Sequence, residues 1–284
     1  MPTATGQRQL PIGIFDSGVG GLTVLKAIRE LLPHEDLLYL GDTARVPYGT
    51  KSNASVINYA LQASQHLYGR GIKLLVIACN TATAAALTTL QDHYHPVAVL
   101  GVIEPGAKAA SEATRNQHIA IIATESTVQS GAYEQALRGY NPAITLSSKA
   151  CPLLVPLVEE GWLSGGIVEE IINHYLQPIF AQDHKPDCLV LGCTHFPLLR
   201  TAIENVVGKN TCIIDSAASM AHLVEQHLQQ QGLVNPQQGS GKLQILVTDL
   251  PNRFLRTANL FLDQEETLAA VIEQVDLTHS NIGA

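Results

Sequence analysis

"CLVLGCTHFPLL", residues Cys188–Leu199, decides how the rest of the chain is read. Leu189, Val190 and Leu191 form a short apolar run that stops at Gly192. A thiol, a hydroxyl and an imidazole come next at Cys193, Thr194 and His195. A brief apolar run bounded by glycine suits a strand buried on both faces, as in a parallel sheet. The pattern recurs. "PIGIF" (11–15), "LLYLG" (37–41), "LLVIA" (74–78), "VAVLGVI" (97–103), "IAIIA" (119–123), "TCIID" (211–215) and "LQILVTD" (243–249) read as further strands. Helical segments lie between them, such as "LTVLKAIREL" (22–31) and "TATAAALTTLQDHY" (81–94), the second rich in alanine, the best helix former. Pro251 is placed to open a helix after the last of these strands. The alternation predicts an α/β fold with largely parallel sheets.

Composition excludes several classes. The 284 residues are 46% hydrophobic and 15% charged, a globular profile with enough chain for one large domain or two modest ones. A net charge of −8 without a basic block argues against general affinity for nucleic acid or an anionic membrane. "MPTATGQRQLP" has no apolar signal core, and no run is long enough to span a bilayer. Five cysteines with no CxxC pattern fit free thiols in a reducing cytoplasm. The polar stretch "QQQGLVNPQQGSGK" (229–242) reads as a surface loop without chemistry.

The loops after the strands carry the chemistry. They are "DSGVGG" (16–21), "CNTATA" (79–84), "EPG" (104–106), "TESTVQSG" (124–131), "CTHFP" (193–197) and "DSA" (215–217). In a parallel sheet, ligands bind beyond the carboxyl ends of the strands, so these loops predict a polar ligand held by several of them. "DSGVGG" lacks the full GxGxxG fingerprint, and no P-loop lysine comes after it, so nucleotide binding is a weak signal. A faint internal echo links "LLVIACNTATAAAL" to "CLVLGCTHFPLLRTAI", each a strand, a cysteine, a threonine and a helix. Two such halves would place a thiol on either wall of a cleft.

Cys151, Cys188 and Cys212 lie in or beside apolar runs and read as packing. Cys79 and Cys193 sit at strand ends among polar groups, where helix N-terminal dipoles would favour the thiolate and lower the pKa. Zinc is one use for them, but Cys193 and His195 supply no CxxC-like pair. A Cys193–His195 nucleophile for acyl transfer is another, and it leaves Cys79 idle. A third is a pair of opposed bases, one taking a proton from a carbon and the other returning one to the opposite face. Plainer readings exist for the neighbours: Asp16 as a helix cap, Ser17 and Tyr48-Gly49 as turn residues, and Glu159 as a solvated carboxylate.

Taken together, "GIFDSGVGGLTV", "YLGDTARVPYGTKS", "VIACNTATA", "CPLLVPLVEEG", "VLGCTHFPLL" and "IIDSA" closely resemble the glutamate racemases of the aspartate/glutamate racemase superfamily. The likeness runs from about Gly13 to Phe261. It implies interconversion of L- and D-glutamate without metal or any cofactor, supplying D-glutamate for peptidoglycan. The two bases would be Cys79 and Cys193, with Asp16, Glu159 and His195 as supporting acids and bases. Substrate contacts would fall on Asp16, Ser17, Tyr48, Gly49, Asn80, Thr81, Thr194 and His195, with Thr124 at the end of another strand added to them. The resemblance also implies two pseudo-symmetric α/β domains with the active site in the cleft between them. Residues 10–103 and 217–284 would form the first and residues 104–216 the second, in a cytoplasmic homodimer. Aspartate racemisation, a cysteine hydrolase or amidase, and a non-catalytic amino-acid-binding protein are the alternatives.

Overall fold

The computed structural model describes residues 4–262 and 272–277. Residues 263–271 and 278–284, which the sequence assigns to the first domain, lie outside the described residues. Ten strands are present among the described residues: β1 (Ile12–Asp16), β2 (Leu37–Gly41), β3 (Leu74–Ile77), β4 (Ala98–Gly101), β5 (His118–Ala123), β6 (Thr145–Ala150), β7 (Cys188–Gly192), β8 (Cys212–Asp215), β9 (Leu243–Val247) and β10 (Ile272–Gln274). They form two sheets flanked by helices, in the orders β10-β9-β2-β1-β3-β4 and β6-β5-β7-β8. Every pairing is parallel. The α/β expectation holds.

Burial explains why these runs become strands. Every residue of β1, β2, β3, β5 and β7 is buried, as expected where helices cover both faces of a sheet. Two strands have no counterpart among the apolar runs of the sequence. β6 ("TLSSKA") is mostly half-exposed, β10 ("IEQ") is short, and each forms a sheet edge where an apolar run is not required. Several strands are shorter than predicted, β4 the most. β4 ends at Gly101, and "EPG" lies inside the helix Ile103–Ala113 instead of forming a turn. Glu104 and Pro105 suit a first helical turn, where a carboxylate meets the positive helix end and a missing N–H costs nothing.

The echo between the two cysteine segments is partial. β3 passes directly into the helix Asn80–Tyr94 with Cys79 as its N-cap. β7 instead leads through Cys193 and Thr194 to a 3-10 turn at Phe196–Leu199, and only then to the helix Arg200–Val207. Pro197 disfavours helical backbone at the residue before it, which delays the helix.

Two links join the outlying parts. The helix Ser216–Gln230, capped by Asp215 through the Ala217 N–H at 3.1 Å, packs against both Leu22–Leu31 and Ile103–Ala113. The 231–242 loop is pinned from beneath. Lys73 Nζ, almost fully buried, donates to the Glu35 carboxylate and to the carbonyls of Arg8 (2.7 Å) and Leu233 (3.0 Å). Glu35 accepts in turn from the Asn235 N–H at 2.8 Å. Removing one partner of a buried ion pair strands the other, so Lys73→Met is expected to lower stability by about 3 kcal/mol. Urea unfolding at neutral pH measures it; a loss below ~1 kcal/mol would show that the loop holds without this anchor.

Candidate active site

A pocket with about 410 Å³ of open space lies at the carboxyl ends of strands from both sheets. From the six-stranded sheet come Ser17, Val46, Pro47, Tyr48, Gly49, Cys79, Asn80 and Thr81; from the elements around the four-stranded sheet come Thr124, Val155, Glu159, Gly192, Cys193, Thr194 and His195. Every site residue expected from the sequence lines it except Asp16. Asp16, the last residue of β1, is fully buried behind the wall, where its carboxylate accepts from the Gly18 N–H at 2.9 Å. Cys79 and Cys193 thus enter one pocket from strands of different sheets. Cys151 and Cys188 are buried in apolar clusters, and all five thiols are free. Among the described residues, no group of three or more His, Cys, Asp and Glu side chains is disposed to hold a metal ion.

Local contacts fix each wall. Cys79 Sγ accepts from the Ala82 N–H at 3.4 Å and lies 3.5 Å from Ser17 Oγ. Tyr48 is held by a hydrogen bond from its hydroxyl to Asp42, which also pairs with Arg45 at 2.7 Å. Ser126 donates to the Gly49 carbonyl at 2.8 Å, joining the helix Glu125–Ser130 after β5 to the 3-10 turn Tyr48–Thr50 after β2. Thr81, Thr124 and Thr127 close a ring of hydroxyls, with separations of 2.9, 3.1 and 3.0 Å. Thr127 is absent from the sequence-based set; its signal was only the TxxT spacing of a capped helix start, which is common. Val46, Pro47, Val155 and Gly192 were also missed, because apolar wall residues carry no chemical signature.

The glycines of "DSGVGG" have a steric role. A Cβ on Gly20 would fall 2.5 Å from His195 Nδ1 and closer still to Thr194 Oγ1. The turn after β1 therefore presses its backbone against the turn after β7, and only glycine allows it.

The whole arrangement has counterparts. Residues 12–224 match the model of the Asp/Glu/Hydantoin racemase family. The chain belongs to that family. It is 47% identical over 251 residues to a glutamate racemase of Geobacter metallireducens, covering 88% of this chain and 92% of the relative. A crystal structure of glutamate racemase from Francisella tularensis in complex with D-glutamate superposes with a TM-score of 0.87 at 34% identity, covering 95% of this chain and 99% of the other. A glutamate racemase isoform from Bacillus anthracis gives 0.88 at 36% identity, covering 95% and 98%.

Electrostatics in this member of the racemase family depart from one expectation. The Cys79 thiol is not activated by its helix end. Burial, and after it the Asp16 charge, push its pKa up to about 12 against the Ala82 N–H and the Ser17 hydroxyl. Cys79 therefore rests as a protonated thiol. Burial also raises the Asp16 carboxyl, opposed by His195 and by the N–H groups of Gly18, Gly21 and Ser17. At His195, burial works against the imidazolium, but Cys193, Glu159 and Asp16 outweigh it and the pKa rises to about 10. Cys193 Sγ lies 3.9 Å from Nδ1, and Glu159 Oε1 lies 3.5 Å from Nε2. That separation is an ion pair without an aligned hydrogen bond, and Nε2 has no hydrogen-bond partner. Glu159 is held low first by His195, with Arg253 adding to the effect. A raised pKa means the proton favours the native state. That stabilisation is complete below about 6.5 and is lost as pH rises through about 10.

Two measurements check this description. Glu159→Gln removes a negative neighbour, so the His195 imidazole should titrate below its wild-type midpoint near 10 in histidine-labelled NMR spectra; an unchanged midpoint would show that Glu159 does not hold the charge. Gly20→Ala should displace the Thr194–His195 turn, and displacements near 1 Å in such sites cost about 100-fold in turnover. Undiminished turnover in that variant would mean the contact is slack.

Proposed function

We propose that this chain is a glutamate racemase that inverts the α-carbon by two-base proton transfer between Cys79 and Cys193, without metal or cofactor. The observation carrying it is the entry of two thiols into one pocket from two different sheets, amid uncharged donors. Inversion needs a base on each face of the carbon, and opposed walls are how a fold provides them. Family membership and relatives named glutamate racemase, among them one at 47% identity, support the substrate.

Atoms and electrons balance in a single exchange. The Cys193 sulfur, as thiolate, forms an S–H bond to the α-hydrogen while the Cα–H bond breaks. The electron pair spreads into the α-carboxylate as a dianion. Cys79, resting protonated, gives its proton to the opposite face and becomes the thiolate. The reverse reaction exchanges the roles. His195, Asp16 and Glu159 govern the charge beside the two sulfurs. The dianion is the costly species; the Asn80 amide and the Thr194 hydroxyl supply donors for it, and Thr81 or Thr124 can add one by turning its hydroxyl out of the ring. One such donor is typically worth about 2.7–4 kcal/mol of transition-state stabilisation. Ser17, Tyr48 and Gly49 complete the substrate contacts.

In this reading the pocket is the cleft between domains of residues 10–103 with 217–284 and residues 104–216. The protein acts in the cytoplasm as a homodimer and provides D-glutamate for peptidoglycan. One methylene separates glutamate from aspartate and is worth only about 1–3 kcal/mol in a pocket, so the preference is a matter for assay.

Cys79→Ser and Cys193→Ser should each lose most racemase activity, measured by circular dichroism of an L-glutamate solution with no added cofactor. In deuterated water the wild-type product should carry deuterium at the α-carbon. Full activity in either variant would refute the two-base scheme. Trapping of a thioester would point to a hydrolase, and faster turnover of L-aspartate would overturn the substrate.

A further inference from the structure

Two loop motifs, "EPG" and "DSA", play no part in the pocket wall, yet both meet behind one of its residues. Tyr133, in the helix Ala132–Tyr140, is almost fully buried and donates from its hydroxyl to Asn80 Oδ1 at 2.7 Å. A Cβ on Gly106, the last residue of "EPG", would lie 3.4 Å from both the Tyr133 hydroxyl and the Ser216 Cβ. A Cβ on Gly192 would fall 3.0 Å from the Tyr133 ring. The phenol is thus lodged by two glycines, with Ser216 of "DSA" beside it. On the far side of the contact, Asn80 Nδ2 is buried with no hydrogen-bond partner, on a residue that lines the pocket.

We propose that Tyr133 is a positioning residue that fixes the Asn80 carboxamide, so that its N–H₂ and not its carbonyl faces the reacting carboxylate. This role rests on the racemase function proposed for the pocket. The reasoning is one of direction. Burial raises the phenol's pKa, and charges at Cys193 and Asp215 act in the same sense, so Tyr133 keeps its proton. Ser216 acts the other way, as a hydroxyl donating to the phenol oxygen would. The phenol proton is then left for an acceptor, and Asn80 Oδ1 takes it. Rotating the amide by half a turn would break the bond from the phenol to Oδ1 and force the phenol to turn its proton elsewhere. It would also set a carbonyl against a carboxylate, a repulsive contact. A buried amide nitrogen lacking a partner is unfavourable in itself, and a carboxylate oxygen satisfies it. As the dianion forms, that hydrogen bond strengthens, so its orientation acts on the transition state more than on binding.

Tyr133→Phe keeps the ring and removes only the hydroxyl; a thermal melt verifies that the variant is folded. With L-glutamate the expected result is a kcat lowered about tenfold at nearly unchanged KM, less than the 100- to 1,000-fold typical of deleting such a donor outright. In an Asn80→Ala background the same substitution should have little further effect, because the group it orients is gone. Wild-type kcat in Tyr133→Phe, or an undiminished further loss beside Asn80→Ala, would overturn the proposal. A readout free of turnover is the side-chain amide signal of Asn80 in asparagine-labelled protein, assigned by its absence from Asn80→Ala. It should shift or broaden in Tyr133→Phe, and an unaltered signal would overturn the proposal even if the protein proved inactive on glutamate. Inactivity of the wild-type protein alone would instead strike the racemase function.

Discussion

The site depends on one contact: the turn after β1 lying directly against the turn after β7. Each belongs to a different sheet, and neither sheet alone supplies a pocket with two thiols. Gly20 allows the approach because any side chain there would occupy the space of Thr194 and His195. The other links between the walls depend on it. The hydroxyl ring of Thr81, Thr124 and Thr127 and the Ser126 bond to the Gly49 carbonyl are short, directional contacts, and they form only when the two sheets sit at one separation.

Closing that gap also removes water, and this sets the charge state of the groups inside. Asp16, Cys79, Cys193 and His195 are all at most 7% exposed, so each charge is governed by its neighbours more than by solvent. Cys79 rests beside the Asp16 carboxylate and keeps its proton. Cys193 Sγ lies 3.9 Å from the His195 imidazolium. Two pocket-lining atoms have no hydrogen-bond partner within the protein, Asn80 Nδ2 and His195 Nε2, the second lying only in an ion pair with Glu159. Buried polar groups are nearly always hydrogen-bonded, so these exceptions mark the polar side of the pocket.

Much of this was legible in the residues. The buried strands announce themselves as apolar runs because both of their faces are covered, and the loops after them carry the polar groups. β6 and β10 were silent because edge strands need no such run. The motif "CTHFP" pointed to Cys193 and His195, and its Pro197 is the residue that delays the helix behind a 3-10 turn. Position at a helix start suggested an acidic thiol at Cys79; the depth of burial and the carboxylate behind it, both tertiary facts, reversed that. Asp16 was expected at the substrate from the family resemblance; it is the last residue of β1 and lies fully buried, while Ser17, just past the strand end, lines the pocket. Tyr133 could not be found at all, since its meaning comes from Asn80, 53 positions earlier in the chain.

The order of strands in the larger sheet bears on how the polypeptide reaches this state during synthesis. β2 lies in the interior of that sheet only because β9, some 200 positions later, pairs along its flank. Until the ribosome has released that segment, "LLYLG" presents an apolar ribbon with open amide and carbonyl groups to whatever is nearby. Pairings so distant along the chain form late and slowly. The nascent protein therefore carries an unpaired apolar edge along β2 for as long as β9 is still to be made.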